Sequence, residues 1–172
     1  MTILFAYDGS ASADAAIAAA AQLLGHDDAS AVVLAVWEPL TVQALRAERF
    51  GSPVLAVPLD VAEEDEQTEE QARRLAEHGA RLAGAAGFDA RALWVADERR
   101  IADAIVASAD ELAADLIVLG ARGLAGVAAF LGSVSNHVLK HATRPVLVIP
   151  AKAAARRPPS NGGQGAASAE RS

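Results

Sequence analysis

Ile3-Leu4-Phe5-Ala6-Tyr7-Asp8-Gly9-Ser10 decides how the rest of the chain is read: a short run of large apolar residues closed abruptly by a carboxylate, a glycine and a serine. The next stretch, from Ala11 to Leu24, is alanine-rich and stops at Gly25, a residue suited to end a helix. The order is strand, turn, helix. Ser10 or Ser12 can cap that helix, and Asp14 lies in its first turn, where the positive end of the helix dipole favours a carboxylate.

The same unit recurs along the chain. Residues 31–37 hold Val32, Val33, Leu34 and Val36 without alternation, as expected of a parallel strand covered on both faces. Residues 38–59, broken by Pro39, Gly51, Pro53 and Pro58, read as a long connection with one helical piece over 42–49. Residues 60–86 read as a helix that is acidic first (Glu63, Glu64, Asp65, Glu66, Glu69, Glu70) and basic later (Arg73, Arg74, Arg81). That order suits the macrodipole and predicts a solvated face rather than a cation site. A third strand over 90–95, a helix over 101–114, a fourth strand over 116–119, a helix from Gly132 to near Thr143 and a fifth strand over 146–149 complete the pattern.

Right-handed crossovers put the helices on both faces of the sheet. The expected fold is therefore α/β: an open five-stranded, mostly parallel, doubly wound sheet of Rossmann-like type over residues 1–150. Residues 151–172 contain no large apolar side chain and carry Lys152, Arg156, Arg157 and Arg171, so a disordered basic tail is expected there.

Composition narrows the function. A chain of 172 residues with 52% hydrophobic and 22% charged residues fits one domain. About a quarter of the residues are alanine and 4% are aromatic, so the core must come from aliphatic side chains and close helix packing. Twenty-two acidic against fifteen basic residues, a formal charge of -7, argue against nucleic acid or an anionic membrane as partner. The absence of cysteine excludes disulfides, thiolate nucleophiles, zinc ribbons and iron–sulfur ligation. The first residues lack a basic n-region, and no apolar run reaches membrane-spanning length, so a soluble cytoplasmic protein is expected.

The segment that carries chemistry is Gly120-Ala121-Arg122-Gly123-Leu124-Ala125-Gly126-Val127-Ala128-Ala129-Phe130-Leu131-Gly132-Ser133-Val134-Ser135-Asn136-His137. Glycine lets the backbone come close to a ligand, and Gly132-Ser133 at a helix start offers free amides and a hydroxyl to an anion. In an open parallel sheet, ligands gather at the carboxyl ends of strands where the strand order reverses. If strands one and four are neighbours, Asp8 and Gly120 flank one crevice. Asp8 could then accept from an adenine amino group or a ribose hydroxyl while the glycine-rich loop receives phosphates. A loop that simply needs tight turns, and a carboxylate that simply starts a helix, are the plainer readings of the same residues.

Tyr7-Asp8-Gly9-Ser10, Gly120-Ala121-Arg122-Gly123, Gly132-Ser133-Val134-Ser135 and Pro145-Val146-Leu147-Val148-Ile149, in that order, resemble the universal stress protein family. The likeness covers about residues 2–150. It implies a five-stranded doubly wound fold, commonly dimeric through the last strand, and an ATP-binding branch marked by glycine, two residues, glycine, nine residues, glycine, then Ser or Thr. Here the spacer at 124–131 is one residue shorter, and Val95-Ala96-Asp97 stands where the family often has a glycine and a proline two apart. Carried over residue by residue, the resemblance assigns Ala6 and Asp8 to ribose and adenine and Val36 to the adenine. Gly120, Arg122, Gly123, Gly132, Ser133, Val134 and Ser135 fall to ribose and phosphates. The ligand it implies is ATP, with Mg2+ on the phosphates left open. The partners it implies are a second copy of the chain along residues 145–149 and a protein of unknown identity.

Catalysis finds less support. No Gly-Lys-[Ser/Thr] follows the glycine loop, Lys140 lies too far along its helix to replace the missing lysine, and the first strand lacks a Gly-x-Gly-x-x-Gly fingerprint. His137 and His141, four apart, could share a metal, but no third ligand is evident, so ordinary helix histidines are expected. Trp37 and Trp94 end strands and are expected to pack under a helix rather than roof a base. The resulting expectation is an adenine-nucleotide-binding regulator of the stress response, a dimeric sensor or adaptor and not an enzyme. Its rivals are a nucleotide-free dimeric module of the same fold and a weak ATPase or phosphotransfer enzyme.

Overall fold

The computed structural model describes residues 1–25, 29–49, 61–97, 99–121 and 132–150. The expected tail and the spacer at 124–131 lie outside the described residues. The elements, in chain order, are β1 (Thr2–Ala6), α1 (Ala11–Leu24), β2 (Ser30–Trp37), α2 (Leu40–Arg49), α3 (Val61–Ala85), β3 (Asp89–Ala96), α4 (Ile101–Glu111), β4 (Leu116–Ala121), α5 (Ser133–His141) and β5 (Val146–Pro150). The helical piece expected over 42–49 is α2, which begins two residues earlier.

Each central strand is a continuous apolar run because both of its faces are covered. Ile3, Phe5, Ala31, Val33 and Val118 point to one side and pack against α1 and the end of α3 around Ala13, Ala16, Ile17, Ala20 and Ala83. Leu4, Val32, Leu34, Ile117 and Leu119 alternate to the other side, against Ala102, Ile105 and Ala109 of α4 and Val138 of α5. The strand order is β3-β2-β1-β4-β5, every pairing parallel. The chain moves outward from β1 through β2 to β3, then crosses to β4 and out to β5. The order therefore reverses between β1 and β4, and the carboxyl ends of these two strands form the crevice of the fold.

Alanine explains how closely the helices sit. Ala13, Ala15, Ala16 and Ala20 are all buried in α1, and Ala72, Ala76, Gly79 and Ala83 form the buried stripe of α3. A Cβ on Gly79 would stand 2.7 Å from Val33 Cγ1 and 2.9 Å from Tyr7 Cδ1, so α3 rests directly on the sheet. Trp37 and Trp94 pack with Leu75 against Ala72 and Ala76, under a helix as expected, and the Trp94 indole donates to Glu69 at 3.2 Å.

The acidic start of α3 is a solvated face. Arg73 donates to Glu70 and Glu77, and Arg74 to Glu70, at 2.6–2.8 Å. Donation from Arg73, then from Arg74, holds the Glu70 carboxyl down at about 2. Exposed pairs of this kind add little to stability.

One boundary differs from the sequence expectation. The helix expected to run to residue 114 ends at Glu111, because Ala113 takes φ 48° and the Ala113 and Ala114 amides leave the helical pattern for the Asp110 and Ala109 carbonyls, at 3.0 and 2.8 Å. This tight exit brings Ala114 into the core and delivers the chain straight into β4.

Candidate functional site

The cleft at the β1/β4 switch is built from the turn after β1 upward. Asp8 comes just after the strand, and its Oδ1 accepts from the Ser10 amide at 3.0 Å, closing a turn that Gly9 completes with φ 72°. Ser10 then caps α1, its hydroxyl accepting from the Ala13 amide at 3.3 Å. The opposite wall begins at Gly132, the N-cap of α5. Here no side chain caps the helix, so the first amides of α5 meet no such acceptor.

Between these walls lies a cavity of about 300 Å³, within the range of small-molecule sites. Ala6, Asp8, Val36, Gly120, Gly132, Ser133, Val134 and Ser135 all line it. These are eight of the residues singled out from sequence; the remaining two, Arg122 and Gly123, lie outside the described residues. Ala6 and Val36 lie on the α4/α5 side of the sheet and form an apolar wall. Asp8 is the one charged side chain among the described lining residues. Positive potential on this rim comes from the N-terminus of α5, whose first-turn amides and aligned peptide dipoles favour an anion.

The sequence reading missed Tyr7, Ser10, Ala13, Leu34, Leu75, Ile101, Ile105 and Leu119, which also line the cavity. Ile101 and Ile105 come from α4, and no local pattern announces that the third helical crossover reaches the switch point. Val95-Ala96-Asp97, the segment that departs from the family's glycine and proline, borders a separate groove, where Asp97 is 1% exposed and accepts from the Arg99 amide at 2.8 Å.

Gly120 owes its identity to α1. A Cβ there would lie 2.5 Å from the carbonyl oxygen of Ser12 and 2.9 Å from the Ala13 nitrogen. The close approach expected of a ligand is thus made first by the chain itself, and it sets how near the α1 N-terminus stands to the end of β4.

Tyr7, at the cavity edge, is 4% exposed and donates its hydroxyl to Asp14 Oδ1 at 2.7 Å. Burial, then this hydrogen bond, then the negative charges of Asp14 and Asp8 hold the phenol well above its ordinary value of 10.0. A raised pKa means the neutral form is the folded one. The stabilisation is complete below the unfolded-state pKa and is lost as pH rises through the folded one. Tyr7 is the one tyrosine of the chain, so ultraviolet titration reads it directly. No phenolate absorbance should develop around pH 10 while the fold persists; a midpoint near 10 in folded protein would contradict this packing.

His137 is not an idle helix histidine. Its Nε2 lies 2.7 Å from Asp103 Oδ1 of α4, and its ring stacks on His141 with centroids 4.2 Å apart. Among the described residues no group of three His, Cys, Asp or Glu is placed to hold a metal ion. Among the described residues, too, no helix is long and apolar enough to cross a membrane.

Comparisons with known proteins fit this architecture. A sequence model of the universal stress protein family matches residues 1–150. The chain is 34% identical over 149 residues to the "Universal stress protein in QAH/OAS sulfhydrylase 3'region" of Thermus aquaticus, covering 86% of this chain and 97% of that one. A solved structure from the family in Burkholderia pseudomallei shares 27% identity and a TM-score of 0.63, over 87% of this chain and 95% of that one. A universal stress protein solved in complex with cAMP shares 25% identity and a TM-score of 0.59, over 87% and 96%. With the family model matched across all of the described residues and a family relative 34% identical, the chain belongs to the universal stress protein family.

Proposed function

We propose that this protein binds an adenine nucleotide, ATP or a shorter relative, in the cleft between Asp8 and the start of α5, and acts in the cytoplasm as a regulator rather than an enzyme. One observation carries the reading: Asp8 and the uncapped first turn of α5 line the same cavity, with Ala6 and Val36 beside them. In this account Asp8 accepts from a ribose hydroxyl or the adenine amino group, and Ala6 and Val36 pack against the base. The amides and hydroxyls of Ser133 and Ser135 receive phosphate, Val134 and the backbones of Gly120 and Gly132 shape the path, and Arg122 and Gly123 extend it. The relative solved with cAMP, an adenine nucleotide, supports the ligand class.

Binding is favoured over turnover because no Gly-Lys-[Ser/Thr] follows the glycine loop, so the lysine that would neutralise a transferring phosphoryl group is missing from the sequence. The described residues fit Mg2+ poorly as a protein-held ion, with Asp8 the single carboxylate; a cation would enter on the phosphates. Among the described residues β5 pairs with β4 alone and leaves Val146, Leu147 and Val148 half-buried, which supports a homodimer formed along residues 145–149. Regulation would result if the nucleotide favours one arrangement of the cleft over another. The test is mass spectrometry of small molecules released on denaturing freshly purified protein, paired with calorimetry using AMP and ATP. An adenine nucleotide should be released or bound with measurable heat. An empty cleft with no heat would leave the dimeric module without nucleotide as the reading.

A further inference from the structure

Helices α4 and α5 each contribute one wall of the cleft: Ile101 and Ile105 from α4, Ser133, Val134 and Ser135 from α5. Their shared interface is apolar, through Ala102, Ile105, Ala109, Val134 and Val138, and it is tied at both ends by polar contacts. At the cleft end, His137 meets Asp103 at 2.7 Å. At the far end, Asp110 accepts from Thr143 Oγ1 at 2.5 Å and Arg144 Nε at 3.2 Å.

An ionised carboxylate only accepts, so the imidazole Nε2–H is the donor to Asp103. The two side chains line the outer groove, of about 770 Å³, and not the cleft. They therefore do not touch a ligand in the cleft, yet they join its walls one turn away from it. Apolar contacts alone allow two helices to slide, whereas a directional hydrogen bond fixes their register. The stacked His141 ring limits rotation of the imidazole.

We propose that His137 is a positioning residue: by donating to Asp103 it holds the first turn of α5 at the distance and tilt from α4 at which its amides can receive phosphate. The inference rests on the adenine-nucleotide reading and gives the Asp103–His137 pair a role that the far-end contact with Asp110 does not share.

The experiment is calorimetric titration with AMP of the full chain and of His137→Ala, Asp103→Ala, the double variant, His137→Gln and Thr143→Val. Each alanine variant should bind AMP about fivefold more weakly, the size of one ordinary intramolecular hydrogen bond. The double variant should be no weaker than either single one. His137→Gln, which keeps a donor at the same reach, should restore affinity. Thr143→Val should lower the melting temperature and leave AMP affinity unchanged. Wild-type affinity in His137→Ala, additive losses in the double variant, or an equal loss in Thr143→Val would overturn the proposal.

Hydrogen exchange of the Asn136 amide, which closes the first turn of α5 onto the Gly132 carbonyl at 2.9 Å, reads the same clasp without ligand. Exchange should quicken in both alanine variants and not in His137→Gln or Thr143→Val. If the full chain binds neither AMP nor ATP, the nucleotide reading fails by itself, and unchanged Asn136 exchange in the alanine variants would overturn the positioning role separately.

Discussion

Gly120→Ala is expected to lower the unfolding free energy by about 3 kcal/mol, the upper end of ordinary overpacking. The atoms a methyl group would strike are the Ser12 carbonyl oxygen, the Ser12 carbonyl carbon and the Ala13 nitrogen, at 2.5, 2.6 and 2.9 Å. These are backbone atoms in the capped first turn of α1 and cannot rotate aside as a side chain would. Relief requires α1 to lift from β4, which disturbs the buried alanines beneath it. Urea denaturation reads the loss. Gly132→Ala serves as the control, since a Cβ there meets nothing within 4 Å and its φ of -58° suits any residue; its stability should stay within about 0.5 kcal/mol of wild type. Equal stability of the two variants would refute the close approach of α1 to β4.

Asp8→Ala is expected to weaken adenine-nucleotide binding about thirtyfold, equivalent to about 2 kcal/mol for a lost hydrogen bond to a charged group. The same substitution should change folding stability by less than about 1 kcal/mol, because the Ser10 amide it leaves behind is exposed and water replaces the acceptor. Asp8→Asn separates the two roles of the carboxylate. It keeps an oxygen for the Ser10 amide, and with it the turn, but removes the charge, so its affinity should fall between alanine and wild type. Calorimetry with AMP and ATP checks all three proteins. Asp8→Ala binding as wild type does would remove Asp8 from the site.

Much of the fold was legible because the strands are unbroken apolar runs ended by turn residues. Asp8-Gly9-Ser10 marked the end of β1 and the start of α1, and Gly25 marked the end of α1. The early end of α4 was not legible. Leu112, Ala113 and Ala114 are good helix formers by composition, and the chain leaves the helix there because Ala114 is needed in the core.

At the site, Asp8 and Gly120 could be placed from the sheet topology, which brings the ends of β1 and β4 to one edge, whereas Val36 came from the family resemblance. Leu75, Ile101 and Ile105 reach the cavity through helix packing, which has no local sequence pattern. Asp103 and His137 are 34 residues apart, and only the all-parallel winding of the sheet lays α4 beside α5. The glycine reading was right in type and incomplete in cause: at Gly120 the nearby backbone belongs to α1.

The central claim is that the amides opening α5 and the Asp8 carboxylate serve one ligand. Isotope-labelled protein titrated with AMP and followed by amide NMR tests it most directly. The amides of Ser133, Val134, Ser135 and Asp8 should shift together along a single saturating curve. Shifts confined to one of the two walls, or located on the outer groove around Asp110 and His141, would contradict it.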